Sequence, residues 1–185
     1  TYTDPATGLE VRCVSVEYLD FPAVEWTAYF TNTGGSDTPI IDGIQSLNSD
    51  FQCGQTVGDF TLYYADGSTA QTTDFQPRQF TLGPSASISL APYGGRSSDG
   101  VLPFFNLANP DGTGEVIGVG WTGQWAASFN RNTAWTVNVR AGQELAHFKL
   151  HPGEQVRTPA TLLLFWSGGD RMRGQNQLRR LLLAH

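Results

Sequence analysis

The amino-acid sequence has no apolar run long enough to cross a membrane. Its longest run, Leu162–Trp166, has five residues, whereas a membrane-spanning helix needs about 20. A run of five suits a single buried strand. The sequence therefore predicts no membrane partner. Its 39% apolar and 15% charged content is typical of a globular protein.

Residues that hold metals or act as nucleophiles are scarce. The only cysteines are Cys13 and Cys53, and the three histidines, His147, His151 and His185, all lie near the end of the chain. No serine has the spacing of a nucleophile elbow, and no cysteine or acidic pair joins the histidines at zinc-ligand spacing. We therefore predict no catalytic residue, no metal and no cofactor. The cysteine spacing leaves a disulfide and two free thiols both open, with free thiols the simpler interpretation.

Basic residues are few and unevenly distributed. Residues 1–139 carry four Lys/Arg against fourteen Asp/Glu, a net charge of −10, and residues 140–185 carry seven against three, a net charge of +4. An acidic body repels a phosphate backbone, so the sequence predicts no nucleic-acid partner. The basic tail is better suited to contact with another protein surface.

Short strand-like segments separated by turns dominate the chain. Leu9–Leu19 alternates with period two, and dipeptides such as Asp66-Gly67 and Gly83-Pro84 indicate turns. The predicted strands cover 9–19, 24–32, 38–44, 60–65, 80–82, 88–90, 102–107, 115–121, 125–129, 135–139, 145–150 and 161–166, with loops over 45–59 and 71–78. Such spacing predicts an all-β fold, an antiparallel β-sandwich.

The last residues have helical periodicity instead. Leu178, Leu181 and Leu182 recur at three- and four-residue steps, and Asp170 precedes them at a position suited to a helix cap. We predict a sandwich domain over residues 1–169 and a short C-terminal linker helix over residues 170–185. Because the chain starts without methionine and stops at His185 with no cap, we expect it to belong to a longer protein.

The glycine-rich and tryptophan-rich stretches offer candidate sites. The stretch 118–123 has the G-x-G-x-x-G spacing of a dinucleotide site, but strand-like sequence follows it where such a site needs a helix, so no nucleotide is predicted. Tryptophans in β folds usually fill the core, and we predict this for Trp26, Trp135 and Trp166. Trp121 and Trp125 flank a glycine turn, which leaves a surface position and a core position equally open for this pair.

Several short motifs occur one after another along most of the chain. They are Glu25-Trp26, Asn32-Thr33-Gly34, Gly95-Arg96-Ser97-Ser98, Pro103-Phe104, Gly114–Gly118, Thr122–Trp125, Pro152-Gly153-Glu154, Thr158-Pro159 and Gln177–Arg180. In this order they resemble the N-terminal domain of family 36 glycoside hydrolases, the α-galactosidase group. Two features depart from the family. Further upstream strands are missing, and Asp99 stands where many members have histidine after the paired serines.

The resemblance implies a large β-sandwich, or supersandwich, ahead of a (β/α)8 barrel that holds both catalytic aspartates of a retaining mechanism. This chain would be the non-catalytic sandwich, which packs on the barrel, contributes loops to the rim of the active site and helps copies of the enzyme to assemble. The implied partners are the barrel of the same polypeptide, a galactoside-type carbohydrate and further copies of the chain. Retaining α-galactosidase-like activity is expected of the full-length parent and not of this chain alone.

The candidate substrate-binding residues lie in and beside the glycine loop. They are Arg96, Ser97, Asp99, Trp121 and Trp125. A guanidinium can bridge carboxylates or sugar hydroxyls through several fixed donors, although pinning the loop through backbone carbonyls suits Arg96 equally well. The alternative functions are a free-standing carbohydrate-binding module or lectin-like domain, and a domain that only mediates assembly.

Overall fold

The structure is a computed structural model that describes residues 1–185. It contains fifteen strands and one helix. The strands are β1 (Tyr2–Thr3), β2 (Leu9–Tyr18), β3 (Ala23–Asn32), β4 (Ile41–Asp42), β5 (Leu47–Gln52), β6 (Phe60–Ala65), β7 (Pro77–Leu82), β8 (Ser87–Leu90), β9 (Phe104–Ala108), β10 (Thr113–Gly120), β11 (Trp125–Arg131), β12 (Thr136–Gln143), β13 (His147–Phe148), β14 (Gln155–Arg157) and β15 (Ala160–Ser167), and the helix is α1 (Met172–Ala184).

The strands form two main antiparallel sheets. The larger sheet has nine strands in the order β1-β2-β3-β15-β10-β9-β6-β7, with β14 also pairing with β3, and the smaller sheet has the order β5-β12-β11-β8. β13 and β4 form a separate pair. The predicted all-β antiparallel sandwich with a short C-terminal helix is confirmed. The one helix is too short to span a membrane.

Alternation along the strands builds the core between the two sheets. On β11, Trp125, Ala127 and Phe129 are buried while the residues between them are half-buried. Ile117 and Val119 of β10 belong to the same cluster of 17 buried residues. The period-two alternation in the sequence therefore places every second side chain of these strands in the core between the sheets.

The helix covers the opposite face of the larger sheet. The N-cap residue is Arg171, one residue after the predicted Asp170, and its side chain makes no capping bond. The Asp170 carboxylate still accepts a hydrogen bond from the Met172 backbone N–H at 2.9 Å, so it satisfies one free N–H at the start of the helix. Leu178 and Leu181 are buried in a second cluster of six residues that includes Trp166. Leu182, predicted on the same apolar stripe, is 61% exposed.

Three predicted segments differ in the structure. The predicted loop 45–59 contains β5, in which only Leu47 and Phe51 are buried and polar residues fill the outer face. Two apolar residues in six give too weak an alternation to recognise. The predicted strands 38–44 and 145–150 shorten to β4 and β13, which have two residues each. Outside this short ladder, the Thr38 N–H donates to the Leu150 carbonyl and the Leu150 N–H donates to the Thr38 hydroxyl, both at 3.0 Å.

The tryptophans divide differently from the prediction. Trp166 is buried, and Trp26 is half-buried with its indole N–H donating to the Ser46 carbonyl at 2.8 Å. Trp135 is 42% exposed, so its predicted core role is wrong. It lies in the turn before β12, ahead of the buried face of that strand. Both cysteines are free, Cys13 exposed and Cys53 buried.

Candidate functional site

The glycine loop, defined here as Tyr93–Gly100, connects β8 to β9. Backbone hydrogen bonds close it on itself: the Tyr93 N–H donates to the Asp99 carbonyl at 2.9 Å, and the Asp99 N–H donates to the Arg96 carbonyl at 3.3 Å. Gly94 and Gly100 have φ of +62° and +81°, values that other residues adopt only with strain. The glycines of the motif therefore serve a tight, self-bonded turn.

Arg96 and Asp99 form an ion pair within this loop. The Asp99 side chain is 11% exposed and the Arg96 side chain 77% exposed. Arg96 therefore has donors left for a partner in solvent, while Asp99 serves as its inner anchor. The ion pair thus joins two of the five predicted site residues, with one of them facing outward.

Trp125 lies beneath the loop rather than on its surface. Its ring is wholly buried, and its indole N–H donates to the Ser97 carbonyl at 2.8 Å. A ring that stacks on a sugar must expose one face, so the burial of Trp125 contradicts a direct stacking role in this conformation. Ser97 and Trp125 instead tie the loop to the core between the sheets.

Trp121 lies beside the loop in a half-buried position. The Arg157 guanidinium lies 5.1 Å from the centre of its ring, within cation–π range. A cation over the ring competes with a sugar for the same face. Trp121 is therefore half-buried, with one ring face toward Arg157.

Gln124 is a residue that the sequence reasoning did not select. Its side-chain oxygen accepts from the Gly95 N–H at 2.9 Å, and its side-chain amide donates to the Pro92 carbonyl at 2.6 Å. These two bonds clamp the turn before β11 to the glycine loop. A glutamine between Gly123 and Trp125 was visible in the sequence, but nothing in one dimension showed that it reaches residue 95.

Tyr93 is a second residue that was missed. Its side chain is 66% exposed, and its ring lies against Gly100, where an added Cβ would come within 2.4 Å of two ring carbons. Glycine is required at position 100 for this close approach as well as for its backbone angle. The structure thus presents an exposed aromatic ring on the same loop as Arg96.

A groove of about 720 Å³ lies between α1 and the β6–β7 edge of the larger sheet. Tyr63, Leu102, Phe104, Met172, Leu178 and Leu182 supply most of its apolar lining. The Arg171 guanidinium lies 4.3 Å from the centre of the Tyr63 ring. The Arg171 carbonyl accepts from the Asn106 side-chain amide at 3.1 Å, so the start of the helix is held firmly to the sheet.

Glu115 is a buried acid within the sandwich. Its carboxylate accepts one hydrogen bond, from the Asn109 side-chain amide at 3.0 Å, and its other oxygen has no partner. Burial raises the pKa of Glu115 to about 7, an effect that the Asn109 bond opposes and the charge of Asp111 reinforces. No group of three or more His, Cys, Asp or Glu residues is placed to hold a metal ion.

An antiparallel sandwich with a self-bonded surface loop and one terminal helix defines a class of protein, the β-sandwich domain. Comparison with protein-family models identifies the family to which this domain belongs. The family model described as the glycosyl hydrolase family 36 N-terminal domain matches residues 1–151, and the chain belongs to that family. No curated protein sequence matches the chain significantly.

Solved structures of three enzymes share the fold. The α-galactosidase AgaA from Geobacillus stearothermophilus is 22% identical with a TM-score of 0.69, and covers 90% of this chain. The α-galactosidase from Lactobacillus brevis is 20% identical with a TM-score of 0.75, and covers 95%. The galactosidase domain of the α-galactosidase–sucrose kinase AgaSK is 18% identical with a TM-score of 0.67, and covers 90%. This chain spans 23% of the length of each.

Proposed function

We propose that this chain is the non-catalytic N-terminal sandwich of an α-galactosidase-like glycoside hydrolase. It packs on a (β/α)8 barrel of the same polypeptide and contributes to the rim of the active site. Membership of the family and the shared fold with three α-galactosidase structures support the proposal. Self-association of copies of the chain is part of the same proposal.

The apolar surface around α1 is the observation that carries the packing role. Leu182 and Leu183 are 61% and 80% exposed, and Met172 is 45% exposed. All three lie on the terminal helix, and Met172 and Leu182 line the groove that α1 forms with β6 and β7. Contiguous apolar surface next to a groove is typical of an interface. A domain that continues from the end of α1 would begin next to this apolar surface and would be well placed to cover it.

The glycine loop is the part of the domain best suited to the rim. Its backbone is pinned by its own hydrogen bonds, by Trp125 from below and by Gln124 from the side. Tyr93 and Arg96 are both exposed on this rigid base, and an aromatic ring and a guanidinium on one loop suit contact with a pyranoside through stacking and hydrogen bonds. We therefore propose Arg96 and Tyr93 as the residues that face a galactoside, with Ser97, Asp99 and Trp125 holding them in position.

The scaffold role also agrees with the state of several carboxylates. Asp99 pairs with Arg96, Asp59 with Arg131 and Asp66 with Arg78. A retaining glycosidase needs two carboxyl groups about 5–5.5 Å apart on either side of a sugar. Carboxylates held by arginines serve structure in this chain, and we expect the acid and the nucleophile to lie in the barrel.

Two experiments test the proposal. The isolated chain should show no turnover of an aryl α-galactoside, and measurable turnover would refute its non-catalytic role. The coding sequence downstream of His185 should encode a barrel with two aspartates at strand ends, and a stop codon directly after His185 would refute the packing role.

The main alternative is a free-standing carbohydrate-binding module, and a titration separates it. Trp125 lies under the loop and Trp121 beside it, so sugar binding there should change the intrinsic fluorescence. We expect no saturable change with galactose up to the millimolar range. Saturable binding at sub-millimolar galactose by this chain would favour the binding module.

A further inference from the structure

A shallow trough crosses the outer face of the larger sheet beside α1. The helix lies over one cross-strand row of that face, in which Val116 and Leu164 are paired and buried beneath it. The next row along the strands forms the trough, and its residues pair in sequence across β9, β10, β15, β3 and β2. They are Phe104, Gly118, Leu162, Glu25 and Val16. Phe104 and Val16, at the two ends of this row, are 42% and 45% exposed.

The floor of the trough is made of small residues. Gly118, Gly120 and Ala160 line a cavity of about 170 Å³ together with Phe104 and Leu162. A Cβ added at Gly118 would lie 3.4 Å from the Leu162 Cβ, which is ordinary van der Waals contact, so packing within this chain does not require glycine there. Glycine inside a strand often marks a place where another backbone approaches closely. The first two glycines of the G-x-G-x-x-G spacing therefore lower this floor.

The trough continues into the groove between α1 and the β6–β7 edge, since Phe104 lines both. Together they cross seven strands, from β2 to β7, which at about 4.8 Å per strand gives a length of roughly 29 Å. Rows on one face lie about 6.6 Å apart, so the midline between the rows of Gly118 and Gly120 is roughly 10 Å from the row beneath α1. The axes of packed helices are separated by about 8–10 Å. The trough therefore has the spacing for a second helix alongside α1.

α1 ends beside one end of the trough. The centre of the His185 ring lies 4.9 Å from that of Tyr18, and its Nε2 lies 3.2 Å from the Asp20 carboxylate. Tyr18 and Val16 share a face of β2 and are about 6.6 Å apart along the strand. This chain spans 23% of the length of each of the three solved relatives. Residues that follow His185 in a longer protein therefore start about one row away from the trough.

We propose that a helix from the part of the polypeptide that follows His185 lies in the trough, alongside α1 and over Gly118 and Gly120. The inference rests on the proposed function, in which a further domain of the same polypeptide packs on this sandwich, and it names the contacting element and the surface that it covers. About 19 helical residues span 29 Å. The apolar stripe of such a helix would face Phe104, Leu162 and Val16, and its flank would contact Leu182 of α1.

Thiol labelling of the full-length protein tests whether the trough is covered. In a Cys13→Ser background, Ala160→Cys places a thiol at a half-buried position of the floor. We expect this thiol to react with a maleimide at least about tenfold more slowly in the full-length protein than in the form that ends at His185, because a packed helix denies access to it. The matched control is Val57→Cys, since Val57 is 84% exposed in the loop between β5 and β6, and it should react equally fast in both forms.

Leu182→Cys separates a failure of the inference from a failure of the proposed function. Slower labelling at position 182 but not at position 160 would mean that another domain packs on α1 and leaves the trough open, which overturns the inference alone. Unchanged labelling at both positions would overturn the inference and the packing role together.

A third form identifies the occupant. Extended upstream of Thr1 and ending at His185, it should label at Ala160→Cys as fast as the chain that starts at Thr1. Slow labelling of this form would assign the trough to upstream residues and overturn the inference.

Gly118→Val tests whether a helix packs closely on the floor. The added side chain has room in this chain, so the form that ends at His185 should keep its thermal unfolding midpoint. In the full-length protein it should displace the helix and raise the labelling rate at Ala160→Cys about threefold or more. The control is Gly35→Val, at a position where an added Cβ has no neighbour within 4 Å. A labelling rate that Gly118→Val leaves unchanged would show that no helix contacts the floor.

Discussion

The core between the two sheets and the smaller cluster beneath α1 differ in how completely each is enclosed. The first holds 17 buried residues, and sheets of the chain itself close it on both sides. The second holds six, under a single helix of 13 residues. On that helix, Leu182 and Leu183 stay largely exposed. The difference shows that the first surface is complete within this chain, whereas the second leaves apolar area free for another surface.

The largest effect is expected in the core between the sheets. Leu107 is wholly buried there, and Leu107→Ala removes its packing and leaves a cavity that two sheets cannot easily close. We expect a loss of about 4 kcal/mol in the free energy of unfolding, measured in urea. The control is Leu145→Ala, at an 83% exposed position, which should change stability little. Equal effects of the two substitutions would contradict the described core.

Glu115 offers a pH-dependent test of the same core, since it lies on the face of β10 that carries Ile117 and Val119. Its pKa of about 7 in the folded chain exceeds the ordinary value of 4.5, so the folded chain binds the extra proton. The stability that protonated Glu115 contributes to the folded chain is therefore fully present below about pH 4.5 and is lost as the pH rises through about 7. Glu115→Gln stays neutral, and should be more stable than the unmodified chain by about 3 kcal/mol at pH 8 and equal to it near pH 4.5.

The measurement is urea unfolding of both proteins at several pH values. Glu17→Gln, at an exposed position of β2, is the matched control and should show no such trend. A Glu115→Gln variant with the same stability difference at pH 5 and pH 8 would show that the carboxyl group titrates normally.

The cluster beneath α1 should tolerate truncation better. Leu181 is 2% exposed, but it packs under one helix that can shift toward the sheet and partly fill the space. We expect Leu181→Ala to cost about 2 kcal/mol, less than Leu107→Ala. Leu182→Ala, at the exposed neighbouring position, is the control. A cost for Leu181→Ala as large as that in the core would mean that the two clusters are equally rigid.

The smallest effect is expected at the outermost leucine of the helix. Leu183 is 80% exposed, so Leu183→Lys should change the free energy of unfolding of this chain by no more than about 0.5 kcal/mol. In a longer protein in which a barrel covers α1, the same substitution should cost more. Thermal unfolding of the two forms side by side measures the difference. A large loss in this chain alone would show that Leu183 already has a buried partner within it.

Much of the fold was accessible from the sequence, because alternation and turn dipeptides are local signals. The pattern of β2 and the run in β15 led to strands within one or two residues of those observed. β5 was missed because its buried residues, Leu47 and Phe51, are too few to stand out among polar neighbours. Trp135 was assigned to the core because the sequence alone does not show whether a tryptophan next to a strand lies in the turn before it or on the buried face of the strand.

The candidate site was accessible only in part. The glycine-rich motif and Arg96 pointed to the loop, and the resemblance to the family supplied its expected role. The clamp by Gln124 and the exposed ring of Tyr93 depend on contacts between residues 29 and 7 positions apart. No one-dimensional spacing reveals such contacts, so the residues that hold and present the loop appeared only with the structure.

The sequence by itself determined the antiparallel strands, the terminal helix and the family, because hydrophobic periodicity and motif order are properties of neighbouring residues. Only the tertiary structure decided which tryptophans are buried, that Glu115 lies where its proton is retained to about pH 7, and that β2 and α1 keep uncovered surfaces. These properties depend on which distant strands come together, since burial and desolvation are set by the whole of the surrounding protein.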